Sequence, residues 1–265
     1  MGSLCFAPSC WRVGLVRHLR LPAISRLFLS LMYLMTATSY AHQDPRVQTR
    51  LALASAYLHA GMLTVAMDET DKVLDVTRQL PEALALKAVI FHQQNRPDLA
   101  NLYFQQASLL SPNSPQIAHN WAVLACQEGH FEAAFSKFAH AEAHSEGLER
   151  DKSLWAWGAC FQQNHQWEAA DSKMSLALLH QPSFISEGLV LAGLKIQLGR
   201  DVEAEKILDL VNDSPSVSAQ SLWLSVQLAQ RQNQAVKKNH WGKMLGLLFS
   251  NSTQWRAYQE GASND

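Results

Sequence analysis

Charged residues are few in this chain, 17% of its 265 residues, with a formal net charge of −1. No Lys/Arg cluster is present. The first 41 residues hold Arg12, Arg17, Arg20 and Arg26 and no acid, which leaves 18 basic against 23 acidic residues in the remainder. A body near −5 without a basic patch excludes nucleic acid as the main partner. Also missing are a dinucleotide-binding glycine fingerprint, a phosphate loop and a Gly-x-Ser-x-Gly elbow, so nucleotide chemistry and the usual serine hydrolase arrangement have no foothold. No acid–base or nucleophile constellation emerges, and the expectation is a non-enzymatic protein without cofactor. No composition bias points to disorder or to a collagen-like chain, and 48% hydrophobic residues can fill one elongated domain or two small ones.

Long apolar runs are missing too. The run Leu27-Phe28-Leu29-Ser30-Leu31-Met32-Tyr33-Leu34-Met35 is too short to span a bilayer comfortably. It follows an Arg-containing segment and precedes Ser39-Tyr40-Ala41, a small-x-small cleavage pattern. Residues 1–41 therefore read as a secretory signal peptide, which puts the mature chain in an oxidising compartment outside the cytosol. No cysteine lies just after the run and Cys10 lacks a charged, apolar leader, so no lipid-attachment site is expected.

From Val47 onward the sequence repeats. Ala66, Ala100, Ala134, Ala170 and Ala204 are spaced 34, 34, 36 and 34 residues apart, and Ala54, Ala88, Ala122, Gly158 and Ala192 follow the same spacing. A third column is large and mostly aromatic: Tyr57, Phe91, Ala125, Phe161, Lys195. A fourth is mostly apolar: Thr70, Phe104, Phe138, Met174, Leu208. A fifth is small: Val73, Ala107, Ala141, Ala177, Val211. Small residues let paired helices approach and large ones fill the space beside them. Each pair then buries its remaining apolar face on the next. Pro81, Pro112, Pro115, Pro182 and Pro215 punctuate the pairs, and Gly61, Gly129 and Gly199 mark turns within them. The five columns match the tetratricopeptide (TPR) pattern. The expected fold is all-α, a right-handed superhelical solenoid of about six TPR helix pairs. The units fall at 47–80, 81–114, 115–150, 151–184, 185–217 and 218–252, followed by a C-terminal tail over 253–265 that frays from Gln259. Two extra residues in the third unit suggest a polar linker over 145–150. In the sixth, Lys237 replaces the small mid-helix residue, as expected of a capping repeat.

Two sets of residues could carry chemistry. His140 and His144 are one helical turn apart, a spacing that can bind zinc, yet no third ligand or catalytic Glu accompanies them, and they read as solvated histidines at a helix end. Cys126 and Cys160 fall late in the first helices of adjacent units. They could form a disulfide joining units three and four, or two small buried thiols filling core space. The concave groove is the default binding surface of this architecture, with His92, Gln93, His119, Val123, Gln127, Trp155 and Gln162 as candidates. Trp155 could anchor an apolar peptide or pack on its neighbouring helix. The Lys/Asn set that clamps a C-terminal carboxylate in some TPR domains is replaced by Leu51, Ser55, Ala85 and Val89.

Six such units behind a signal resemble the type IV pilus biogenesis and stability proteins, the PilW/PilF pilotin family. The resemblance is sharpest at His119-Asn120-Trp121-Ala122-Val123-Leu124-Ala125-Cys126-Gln127-Glu128-Gly129, where the family has Asn-Asn-Tyr-Gly-x-Phe-Leu-Cys-x-x-Gly, and at Trp157-Gly158-Ala159-Cys160, where it has Ala-Gly-x-Cys. Leu248-Phe249-Ser250-Asn251-Ser252 is similar to its Leu-Tyr-Pro-x-Ser closure. The resemblance implies a Cys126–Cys160 disulfide and a monomeric scaffold. It also implies a protein partner, the pilus secretin or another pilus assembly component, and peripheral association with the outer membrane. The sequence departs from the family in lacking the lipid-bearing cysteine and at Lys87, Lys195 and Thr70. The alternative is a periplasmic TPR adaptor for another cell-envelope complex.

Overall fold

The computed structural model describes residues 45–180 and 187–262. The expected signal peptide over 1–41, Cys10 and Pro182 lie outside the described residues. Among the described residues there are thirteen helices and no strand. Six antiparallel pairs follow one another: α1 (Pro45–His59) with α2 (Leu63–Val76), α3 (Pro81–Gln93) with α4 (Pro97–Leu110), α5 (Pro115–Gln127) with α6 (Phe131–His144), α7 (Gly147–Gln163) with α8 (Trp167–His180), α9 (Gly188–Gln197) with α10 (Asp201–Asn212), and α11 (Ala219–Arg231) with α12 (Ala235–Leu248). A last helix, α13 (Thr253–Ala262), packs on α11 and α12. The first helices touch across units, α1 on α3, α3 on α5 and α5 on α7, and again α9 on α11, so they form the inner layer of an all-α solenoid over units one to four and over units five and six.

Local chemistry sets the helix starts. Pro81, Pro97 and Pro115 occupy first-turn positions, where the missing N–H costs nothing. Ser218 and Ser221 close a reciprocal cap at the start of α11. The turn inside each pair passes through the left-handed region. Gly61, Gly129 and Gly199 stand there with φ of 73°, 77° and 72°, and Asn95, His165 and Asn233 take the same position with φ of 58°, 58° and 57°. Only glycine enters this region freely, and asparagine tolerates it. His165 is exposed and is the strained member. The variant His165→Gly should raise the unfolding free energy by about 0.5–1 kcal/mol, read as a higher urea midpoint. A lower midpoint would mean that the edge contact of His165 on Trp167, at 5.3 Å, outweighs the strain.

The repeat columns are the core. Ala54, Ala88, Ala122, Ala192, Ala66, Ala100, Ala134, Ala170 and Ala204 are all 0% exposed. At Gly158 the paired helices come close together: a Cβ there would lie 2.6 Å from Met174 Cγ and 3.1 Å from the Ala170 carbonyl. Phe104, Phe138, Met174 and Leu208 fill the neighbouring column and are buried. Thr70, the polar member, donates its hydroxyl to Ala66 O at 2.7 Å, which makes its burial tolerable.

Three local expectations need correction. Only Ser145 and Glu146 separate α6 from α7, and Gly147–Arg150 form the first turn of α7. The added residues extend a helix, because they carry helix-compatible Leu148, Glu149 and Arg150. Thr253–Ala262, expected as part of the tail, form a packed helix, with Trp255 and Tyr258 set against Gly246 and Gly242. Gly242 occupies the column of Phe104 and Phe138, and the Tyr258 ring supplies the missing volume: a Cβ on Gly242 would meet it at 2.1 Å. Finally, the register position 34 residues after Ala204 is Lys238. Lys237 is exposed and pairs with Glu205 of α10.

Candidate binding groove

Helices α1, α3 and α5 lie side by side in the inner layer, so residues recurring every three or four positions along each share one face. Leu51, Ser55, Leu58 and His59 of α1 face Glu82, Ala85, Leu86 and Val89 of α3 and the N-terminal turns of α5 across a hollow of ≈430 Å³. A second hollow of ≈310 Å³ is walled by Val89, His92 and Gln93 of α3 and by His119, Asn120, Val123 and Gln127 of α5, with Phe104 and Leu124 also lining it. The two share Val89 and Asn120 and form one groove along units one to three.

The groove is almost uncharged. Glu82 is its single carboxylate, and its polar groups are amides, imidazoles and hydroxyls. His92 Nε2 lies 2.6 Å from Gln127 Oε1, which makes Nε2 the protonated, donating nitrogen. Gln116 Nε2 donates to Asn120 Oδ1 at 3.1 Å. His119 Nδ1 lies 2.8 Å from Ser153 Oγ of α7, and its ring meets Phe138 edge-on at 6.1 Å. Burial pushes the His119 pKa down, with Glu149 opposing and Lys152 adding to the shift. The ring is therefore neutral at physiological pH and serves as a hydrogen-bonding wall of the groove. Amides alternating with Val89 and Val123 suit an extended peptide, whose backbone can exchange hydrogen bonds with Asn and Gln while apolar side chains fill the hollows.

Five of the seven candidate residues, His92, Gln93, His119, Val123 and Gln127, line this groove. The other two do not. Trp155 packs on the cluster of Ala170, Met174, Leu191 and Ala192 at the junction with the fifth unit, and Gln162 is half-buried away from both hollows. Leu51, Ser55, Ala85 and Val89, which stand where a carboxylate clamp would, line the larger hollow. Leu58, His59, Leu86, Ile117 and Asn120 also line the groove and were missed, although the helical spacing from Ser55, Val89 and Val123 leads to each of them.

Cys126 and Cys160 are joined by a disulfide between α5 and α7, with Cα atoms 5.8 Å apart. Both are buried beside Ala122, Ala125, Ala134 and Phe138. His140 Nε2 lies 2.8 Å from Pro112 O, and His144 Nδ1 lies 2.8 Å from His140 O. No group of three or more metal-ligating side chains occurs among the described residues, and no described helix is long and apolar enough to cross a membrane.

The helix pairs, the small-residue columns and the inner-layer groove define a TPR protein. No family model matches the chain. It is similar to the type IV pilus assembly protein PilF of Pseudomonas aeruginosa, at 22% identity over 217 residues, 82% of this chain and 86% of that protein. Its structure is similar to that of Pseudomonas aeruginosa PilF, with a TM-score of 0.68 and 21% identity over 82% of this chain and 98% of the other. It is also similar to PilW, a widely conserved type IV pilus biogenesis factor, with a TM-score of 0.65 and 20% identity over 81% of this chain and 98% of the other. The PilW/PilF resemblance read from the sequence is the one these comparisons return.

Proposed function

We propose that this chain is a non-enzymatic periplasmic scaffold for type IV pilus biogenesis and stability, and that it holds the pilus secretin or another pilus assembly component in the groove of units one to three. The observation that carries the reading is the similarity to PilF across 82% of this chain and 86% of its relative. The groove supports a protein partner, because its amides and valines match an extended segment better than a charged ligand. The buried disulfide fits an oxidising compartment. On this reading the protein is monomeric, and any contact with the outer membrane is peripheral.

Deleting the gene should reduce both surface pili and secretin multimers. Complementation with Asn120→Ala/Val123→Glu should fail to restore them and should weaken capture of the partner at least about 10-fold, a loss of about 1.4 kcal/mol, while the helical circular-dichroism signal stays unchanged. Normal piliation and normal multimers in the deletion strain would defeat the proposal. A pull-down that returns envelope enzymes and no pilus component would favour an adaptor for another envelope complex.

A further inference from the structure

Two successive junctions of the solenoid use the same positions and differ in how their charges are met. Between units three and four, Lys173 of α8 places its ammonium 3.8 Å from the ring centroid of Trp157 of α7. The same ammonium donates to Glu142 Oε2 of α6 at 2.8 Å, and Arg150 reaches Oε1 of that carboxylate at 3.5 Å. One unit earlier, the register puts Trp121 for Trp157, Lys137 for Lys173, Ser108 for Glu142 and Ser114 for Arg150. Lys137 again sits on its tryptophan, 4.1 Å from the centroid. Its carboxylate is gone: Lys137 forms no ion pair among the described residues. Where Glu142 and Arg150 close the later junction, this one has a hollow of ≈200 Å³ with Lys137, Ser108, Ser111, Ser114, Ser136 and His140 in its wall.

Several of these groups are already engaged. His140 Nε2 is held by Pro112 O, and Ser114 Oγ accepts from Ile117 N. The Lys137 ammonium and the hydroxyls of Ser108 and Ser136 are left with no hydrogen-bond partner among the described residues. Burial pushes the Lys137 pKa down, with no anion to offset it. A half-buried ammonium that shares the wall of an open hollow with two hydroxyl-bearing side chains favours an anion. The later junction shows which anion the geometry fits: a single carboxylate. A phosphate dianion would meet one cation where it needs more.

We propose that this hollow is a carboxylate-binding site, in which Lys137, Ser108 and Ser136 receive from outside the chain the group that Glu142 supplies internally one unit later. It is separate from the groove, sharing only Ser114 and Ile117 with the larger hollow. The carboxylate can belong to an acidic side chain of a protein partner or to a small free acid.

The indole N–H of Trp121 donates to Asn101 Oδ1 at 2.8 Å beside the site and is a natural reporter. In the full-length protein, replacing sodium chloride with sodium acetate at constant ionic strength should shift the Trp121 indole resonance saturably and leave that of Trp157 in place. Lys137→Gln should weaken the acetate response at least tenfold. Ser108→Glu should abolish it by filling the site from within while raising the urea midpoint, an effect that no folding defect would produce. N-acetylglutamate amide saturating at lower concentration than acetate would point to a protein-borne carboxylate, and equal affinities to a free acid. The proposal is overturned by a non-saturable acetate response, by equal shifts at both tryptophans, by an unchanged response in Ser108→Glu, or by saturation with inorganic phosphate and not with acetate.

Discussion

Replacing Lys195 with phenylalanine should destabilise the solenoid by about 2–3 kcal/mol, and adding Asp171→Phe to the same chain should restore most of that loss. Asp171 of α8 and Lys195 of α9 are 2% and 4% exposed. They meet at 2.8 Å across the junction of units four and five. Desolvating both charges is costly, and their mutual attraction with added hydrogen bonds offsets it. Lys195 also donates to Glu203 at 2.7 Å, and Arg200 closes on the other oxygen of Asp171. Removing the lysine leaves a buried carboxylate served only by Arg200, whose side chain is 42% exposed, and by a long hydrogen bond from the Ser175 hydroxyl at 3.4 Å. The repeat supplies the apolar alternative: in register with Asp171 and Lys195 stand Phe135 and Phe161, whose rings meet across the preceding junction at 4.3 Å, tilted by 32°. The double phenylalanine variant copies that junction, and Arg200 and Glu203 return to water. Urea midpoints of the wild type, both single variants and the double variant measure the coupling. A double variant as unstable as the sum of the single ones would show that this junction cannot accept the aromatic pair.

The same junction shows where the sequence is legible. Lys195 and Asp171 each look like a lapse from the pattern, and only their proximity in the fold makes them a pair. The small columns are legible because close helix approach allows few residue types: Ala122 and Ala134 have no room to be anything larger. Tyr258 is not legible as a core residue, since it fills a gap at Gly242 from outside the repeat. The turn position is half legible. Gly61, Gly129 and Gly199 announce it, whereas His165 adopts the same backbone geometry without a compositional sign. In the groove, helical spacing finds the faces of α3 and α5. It fails at Trp155, because a large amphipathic ring can line a groove or seal a junction, and neighbouring residues decide which.

The disulfide should be the largest single contributor among these features. Reduction, or the variant Cys126→Ala/Cys160→Ala, is expected to lower the unfolding free energy by about 3–4 kcal/mol, the loop-closure entropy that a 34-residue loop removes from the unfolded chain. Both sulfurs are buried among alanines and Phe138, so alanine replacement leaves only small gaps, and most of the loss should come from the unfolded state. In a linear array each unit is held by its neighbours, so the effect should be concentrated at the bridged junction. Amide exchange should accelerate most in α5 to α8 and least in α11 and α12. The bond also joins the groove to the junction behind it, because α5 carries Asn120, Val123 and Gln127 as well as Cys126. Reduced protein should therefore hold its partner more weakly at temperatures where the oxidised protein is fully folded. Equal urea midpoints for the oxidised and reduced forms would remove this account. Weaker binding without any loss of stability would mean that the bond acts on the groove directly and not through the stability of the fold.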